Sequence, residues 1–193
     1  MKILITGFKP FNKDKINPTS MIIKEFNDSN IKTLELDVVY NLDAKKIIDA
    51  IKEYNPNLVL MMGLAGGRKK VMIEYFALNM QSASIPDNSD LIKNHNIIDK
   101  NAPLAYATNI DVVKLKEDVN DDNFDISYHA GTFICNDVYF QVLDFIYKNN
   151  LNIKCGFIHV PYIKEQVSEK PIIPYLDYSV ENKIILKIID MLK

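Results

Sequence analysis

Apolar and polar positions along the chain follow two alternating periods. Short β-branched runs recur at Lys2–Thr6, Leu34–Tyr40, Asn57–Met62, Val71–Met80, Asp125–Tyr128 and Gly156–Pro161, and these predict strands. Between them lie stretches of helical spacing at Pro18–Asn27, Ala44–Tyr54, Val112–Val119, Asn136–Lys148 and Val180–Leu192. Asn17 is placed to cap the first helix, with Pro18 at its first position. The last helix puts Ile184, Ile185, Ile188, Ile189 and Leu192 on one stripe, with Ser179 as its expected cap. Strands flanked by helices predict an α/β layered domain around a buried, mostly parallel sheet. Such sheets carry their sites on loops beyond the strand ends. The glycine- and proline-bearing loops are 7–18, 63–70, 85–103, 130–135 and 162–178. The third and fifth are long for connections, and suit lids, oligomer contacts or plain surface loops alike.

Composition narrows the class. The 193 residues are 48% hydrophobic and 25% charged, an ordinary globular mixture expected to form one domain over residues 1–193. A net charge of -2 argues against nucleic acid as a partner. No apolar run approaches the roughly 18 residues of a membrane span, and the opening Met1–Gly7 reads as a first strand rather than a signal peptide. Cys135 and Cys155 are too few for a disulfide scaffold, so a cytoplasmic protein with reduced thiols is expected. His95, His129 and His159 show no metal-ligand spacing, and no metal or other cofactor is expected. Of the 23 basic residues only Arg68 is arginine, which suggests a place that needs its planar fork.

Three residues carry candidate chemistry. Glu74 lies in a run apolar on both faces, where a carboxylate needs a partner or hydrogen bonds unless the strand ends there in water. Cys135 stands where a strand passes through Gly131 into a helix start. The helix dipole there lowers a thiol pKa and exposes amides to an oxyanion; the alternative is a small buried hydrophobe. Cys155, at a strand start, reads as structural. His159 ends an apolar strand, as a core histidine or as a catalyst in company. Together the three form the inventory of a Cys-His-acid triad, in the chain order Glu74, Cys135, His159.

The segments around these positions resemble the pyroglutamyl peptidase family, also called pyrrolidone carboxyl peptidases. The match runs through Thr6-Gly7-Phe8-Lys9-Pro10-Phe11 with Ile16-Asn17-Pro18, then Gly63-Leu64-Ala65-Gly66-Gly67-Arg68 and Ile73-Glu74 to Asn79. It continues with Ile85-Pro86-Asp87-Asn88, Ala130-Gly131-Thr132-Phe133-Ile134-Cys135-Asn136 and Gly156-Phe157-Ile158-His159-Val160-Pro161-Tyr162. The resemblance implies a three-layer α/β/α sandwich around a mixed sheet, often assembled as a homotetramer. It implies a cytosolic cysteine peptidase that removes N-terminal pyroglutamate from peptides. Cys135 would be the nucleophile, His159 the proton carrier and Glu74 its orienting acid, with a thioester acyl-enzyme. Phe8 and Phe11 would hold the pyroglutamyl ring; from the residues alone, loop-to-core packing is the other reading of these two. Arg68 would bond carbonyls around the glycine turn. The chain departs from the family at Ser84, where arginine is common, at His129, at Asn12-Lys13 and at Val39-Tyr40-Asn41. These departures bear on substrate preference and pH optimum. They leave open a thiol hydrolase of another small amide, or a binding protein that keeps the fold.

Overall fold

A computed structural model describes residues 1–12, 14–168 and 172–193. Lys13 and residues 169–171, parts of the loops at 7–18 and 162–178, lie outside the described residues. The elements run β1 (Ile3–Phe8), α1 (Pro18–Glu25), β2 (Ile31–Leu36), α2 (Leu42–Tyr54), β3 (Leu58–Leu64) and β4 (Val71–Leu78). They continue with β5 (Ala105–Ala107), α3 (Val112–Val119), β6 (Phe124–His129), α4 (Ile134–Lys148), β7 (Lys154–Val160), α5 (Lys164–Val167) and α6 (Tyr178–Leu192). The strands form one sheet in the order β2-β1-β3-β7-β4-β5, with β6 on the other edge of β4. β2, β1, β3 and β7 are mutually parallel. β4 runs antiparallel to β7 and β5 and parallel to β6, so the sheet is mixed but mostly parallel.

Strand side chains alternate between two faces, and each face carries its own core. Leu4, Val59, Met61 and Phe157 pack under Ile47, Ile51, Val138 and Leu143 of α2 and α4. Ile3, Ile5, Leu60 and Ile158 pack under Ile22 of α1, Leu115 of α3 and Ile185 and Ile188 of α6. The result is the layered α/β domain that the periodicity predicts, in the three-layer α/β/α form that the family resemblance implies.

The differences from the sequence reading have local causes. β2 closes at Leu36, short of Tyr40, because Val38 (φ 63°) and Asn41 (φ 61°) leave the extended region. Asn17 does cap α1, its Oδ1 accepting the Thr19 N–H at 3.0 Å. Ser179 is not the cap of α6: the helix begins at Tyr178, and the capping position is Asp177, without a side-chain cap bond. β5 and α5 have three and four residues, too few for any period to register. The long 85–103 loop is pinned to the end of β4. Asn79 Oδ1 accepts the N–H groups of Ile98 and Asp99 at 2.9 Å each, and its Nδ2 donates to Asp99 O at 2.7 Å and Pro103 O at 3.0 Å. Among the described residues no helix is long and apolar enough to cross a membrane.

Glu181 is a cost built into this core. It is fully buried in the first turn of α6, and neither carboxyl oxygen has a hydrogen-bond partner among the described residues. Burial pushes its pKa up to about 9, so it folds as the neutral acid. A raised folded pKa gives stability that is fully present below the unfolded value and is lost as pH rises towards the folded one. Glu181→Gln, which cannot ionise, should therefore melt several degrees above wild type at pH 8, with the gap closing by about pH 4.5. Thermal melts from pH 4.5 to 9 check this; a gap independent of pH would contradict it.

Candidate active site

The site lies where β7 and β4 meet head to tail. Their antiparallel pairing sets His159 opposite Met72, which puts Glu74 on the diagonal, two residues further along the same face. Diagonal neighbours in a sheet lie within reach of long side chains. His159 Nδ1 lies 2.6 Å from Glu74 Oε1, an N–H donor facing a carboxylate. Glu74 is fully buried and His159 nearly so. The Tyr139 hydroxyl donates to the Glu74 backbone carbonyl at 3.0 Å, fixing β4 against α4. The same Oε1 is 3.1 Å from Arg68 Nη2. Arg68 is thus a partner of Glu74 rather than a bond to the carbonyls of its turn. The turn closes through its own backbone, Arg68 N–H to Ala65 O at 3.3 Å, with Gly67 at φ 88°.

Cys135 is the second residue of α4 and is half-buried. Its Sγ sits over Gly63 of β3, the residue registered directly beside His159. A Cβ on Gly63 would stand 2.8 Å from that sulfur and 2.9 Å from Phe157 Cζ, so the thiol's place exists only because residue 63 has no side chain. The turn carrying Cys135 is bolted down from both sides. Asn136 accepts the Leu78 N–H at 2.8 Å and donates to the carbonyls of Leu78 and Met80. Asp137 accepts the Asn41 N–H at 3.0 Å and bonds from Gln81 and Gln141. The helix start does not lower the resting thiol pKa as the sequence position suggested. Burial pushes it up to about 12, the Glu74 and Asp43 carboxylates add to the rise, and the thiol's own backbone N–H and Arg68 only partly oppose it. Loss of water around sulfur outweighs the helix amides. Cys155 is buried in the sheet, as its strand position implied.

Cys135 opens on a cavity of about 270 Å³ whose wall includes Phe8, Phe11, Phe133, Val38, Ile85 and Tyr162. Phe11 packs on Phe133 at 5.5 Å between ring centroids, and Tyr40 meets Phe133 edge-on at 5.6 Å. Val38 holds a left-handed φ that a β-branched residue rarely adopts. Three buried carboxylates impose it. Asp43 accepts the N–H groups of Asp37 and Val39, Asp87 that of Tyr40, and Asp137 that of Asn41. Asn88 adds its N–H to Val38 O at 3.1 Å and its amide to Asp37 O at 2.6 Å. Ser84 is exposed, Tyr40 is buried, and His129 Nδ1 accepts the Gly131 N–H at 3.2 Å, four residues before the thiol.

The model of one family, described as pyroglutamyl peptidase, matches residues 1–189. The chain belongs to the pyroglutamyl peptidase family. It is 40% identical to pyrrolidone-carboxylate peptidase 1 of Caldanaerobacter subterraneus over 185 residues, 93% of this chain and 91% of that one. It is 40% identical to the pyrrolidone-carboxylate peptidase of Brachyspira hyodysenteriae over 182 residues, 91% and 90% of the two chains. Among solved structures, the pyrrolidone carboxyl peptidase from Thermococcus litoralis superposes with a TM-score of 0.91 at 33% identity, covering 98% of this chain and 91% of that one. Pyroglutamyl peptidase I from Bacillus amyloliquefaciens gives 0.91 at 31%, covering 96% and 91%. Membership makes the chain a hydrolase of the cysteine-type exopeptidase class.

Within this pyroglutamyl peptidase fold, the residues named from sequence fall into two groups: Glu74 and His159 in contact, and Cys135, Phe8 and Phe11 on one cavity. Sequence reasoning assigned no role to the supporting residues Gly63, Asn136, Asp137 and Asp87 and missed the Arg68 partnership. Gly63, Asp87 and Asn136 do stand in the segments that match the family, and Arg68 stood out as the single arginine. Gly63→Ala should lower kcat/KM by at least about tenfold and also lower the melting temperature by several degrees, since the new methyl meets both the thiol and the buried Phe157 ring. Steady-state kinetics beside a thermal melt test this, and wild-type kcat/KM in the variant would refute the placement.

Proposed function

We propose that the chain hydrolyses the amide bond that follows an N-terminal pyroglutamyl residue of a peptide. The observation that carries the reading is the Glu74–His159 contact at 2.6 Å beside Gly63, over which the Cys135 sulfur sits at the floor of an aromatic cavity. Pyroglutamate is a flat, uncharged lactam. Aromatic walls at Phe8, Phe11 and Phe133 can bury it without stranding a charge. Backbone groups at the cavity can bond its ring carbonyl, which proline lacks, and a lost polar partner gives large discrimination.

In this reading the resting nucleophile is a thiol, because burial holds its proton on. As the substrate carbonyl arrives, the Sγ–H proton passes to His159 and sulfur attacks the pyroglutamyl carbonyl carbon. Glu74 orients the imidazole through Nδ1 and offsets the charge it gains. Backbone N–H groups of the first turn of α4, which has no side-chain cap, face the developing oxyanion. The C–N bond then breaks, His159 returns the proton to the leaving amine, and a thioester remains. Water, giving a proton to His159, adds to the thioester; the carbon–sulfur bond breaks, the proton returns to sulfur and free pyroglutamate leaves. A reducing compartment such as the cytosol keeps Cys135 in the form this needs. Assembly as a homotetramer belongs to the same proposal, and light scattering would give four times the chain mass.

Fluorophore release from a pyroglutamyl amide, with reductant and chelator present, tests the reaction. Wild type should release it. Cys135→Ala should fall by at least about a thousandfold, and a prolyl amide should be a poor substrate. A folded, reduced wild type that releases nothing overturns the proposal, as does equal release by Cys135→Ala.

A further inference from the structure

We infer that Arg68, the chain's single arginine, is a positioning residue of this reaction: its guanidinium shares one oxygen of Glu74 with His159 and so fixes and charge-balances the pair. The inference rests on the proposed reaction but on a separate observation. Glu74 Oε1 takes both the Arg68 Nη2 contact at 3.1 Å and the His159 Nδ1 contact at 2.6 Å. The second oxygen, Oε2, is buried with no hydrogen-bond partner among the described residues. All the polar company of this fully buried side chain therefore comes through one atom. A carboxylate held by one hydrogen bond can rotate about its last torsion; one pinned by a planar guanidinium as well cannot do so without breaking both contacts.

The charges around the site make Arg68 hard to replace. The charged groups that act on the thiol are Glu74 from β4, Asp43 from α2 and Arg68 from the β3–β4 turn, while the Tyr139 hydroxyl of α4 bonds the Glu74 backbone carbonyl. Glu74 and Asp43 disfavour a thiolate at Cys135, while Arg68 favours one. Among these groups Arg68 is the permanent cation. An uncompensated buried carboxylate is costly, and the ion pair at Oε1 offsets the charge of a carboxylate whose Oε2 has no hydrogen-bond partner among the described residues. Arg68 reaches in from the surface with its side chain 28% exposed. Solvent screens its charge only in part, and its stem is not a core element.

The sign of the effect is fixed by electrostatics. Removing a cation raises the proton affinity of every group near it. Two readouts report this: the pH dependence of kcat/KM on a pyroglutamyl amide, and the pH dependence of Cys135 alkylation by iodoacetamide. Arg68→Met should lower kcat/KM near neutral pH about 10- to 100-fold and move the acid limb of the profile up by about one pH unit. Its alkylation profile should move the same way. Arg68→Lys keeps a cation and should hold the limb within a few tenths of a unit of wild type, though with reduced kcat because the fork geometry is lost. A role confined to holding the turn would lower the melting temperature and yield without moving either profile. Unmoved limbs in Arg68→Met, or equal shifts in Met and Lys variants, overturn the inference. Alkylation is read on the folded fraction, so it decides even where yield is low. If the wild type cleaves no pyroglutamyl amide, the proposed reaction falls, and the alkylation profiles still judge the electrostatic role of Arg68.

Discussion

The contact between Glu74 and His159 constrains the architecture around it. A fully buried carboxylate is tolerated only where its charge is met, and here an imidazole and a guanidinium converge on one oxygen. That requirement fixes the sheet. An all-parallel arrangement would carry β4 past β7 in the same direction and place Glu74 beside a different residue. The antiparallel pairing of Met72 with His159 sets the two side chains on one face at diagonal distance. The strand reversal that makes the sheet mixed is thus also what assembles the acid and the base.

The nucleophile is held by a different logic. Cys135 owes its position to absence and to anchorage: a missing side chain at Gly63 beneath it, and Asn136 and Asp137 beside it. The same Asp137 ties down the loop whose Val38 lines the cavity in a strained conformation. Backbone strain persists where surrounding bonds over-determine it, and here Asp43, Asp87, Asp137 and Asn88 do so. One rigid frame therefore sets the thiol and the cavity wall together. A carboxylate in a loop such as Ile85-Pro86-Asp87-Asn88 looks like a surface charge in sequence, and serves here as a backbone clamp.

Legibility in the sequence followed the range of the interactions. α3 emerged from periodicity with the bounds Val112–Val119, because its apolar stripe is a local property. Asn17 was legible as a cap because its partner Thr19 is two residues away. β2 lies nearer the N-terminus than its apolar run predicts, Ile31–Leu36 instead of Leu34–Tyr40, since the run continues through Val38 while carboxylates from residues 43 and 87 turn the backbone out of the sheet. The thiol pKa departs from the direction that the helix start predicts for a similar reason. The helix start is visible in the sequence, whereas the loss of water around sulfur is not.

By itself the sequence determined the alternation of strands and helices, the layered α/β class and the short list of Glu74, Cys135 and His159. Each of these depends on residue type and local period, which a linear chain displays. Tertiary structure alone decided that β4 runs against β7, that Arg68 meets Glu74 instead of its own turn, and that Gly63 clears a space for sulfur. The contacts behind these outcomes join residues far apart in the chain, through strand order and direction, and no local period encodes strand order or direction.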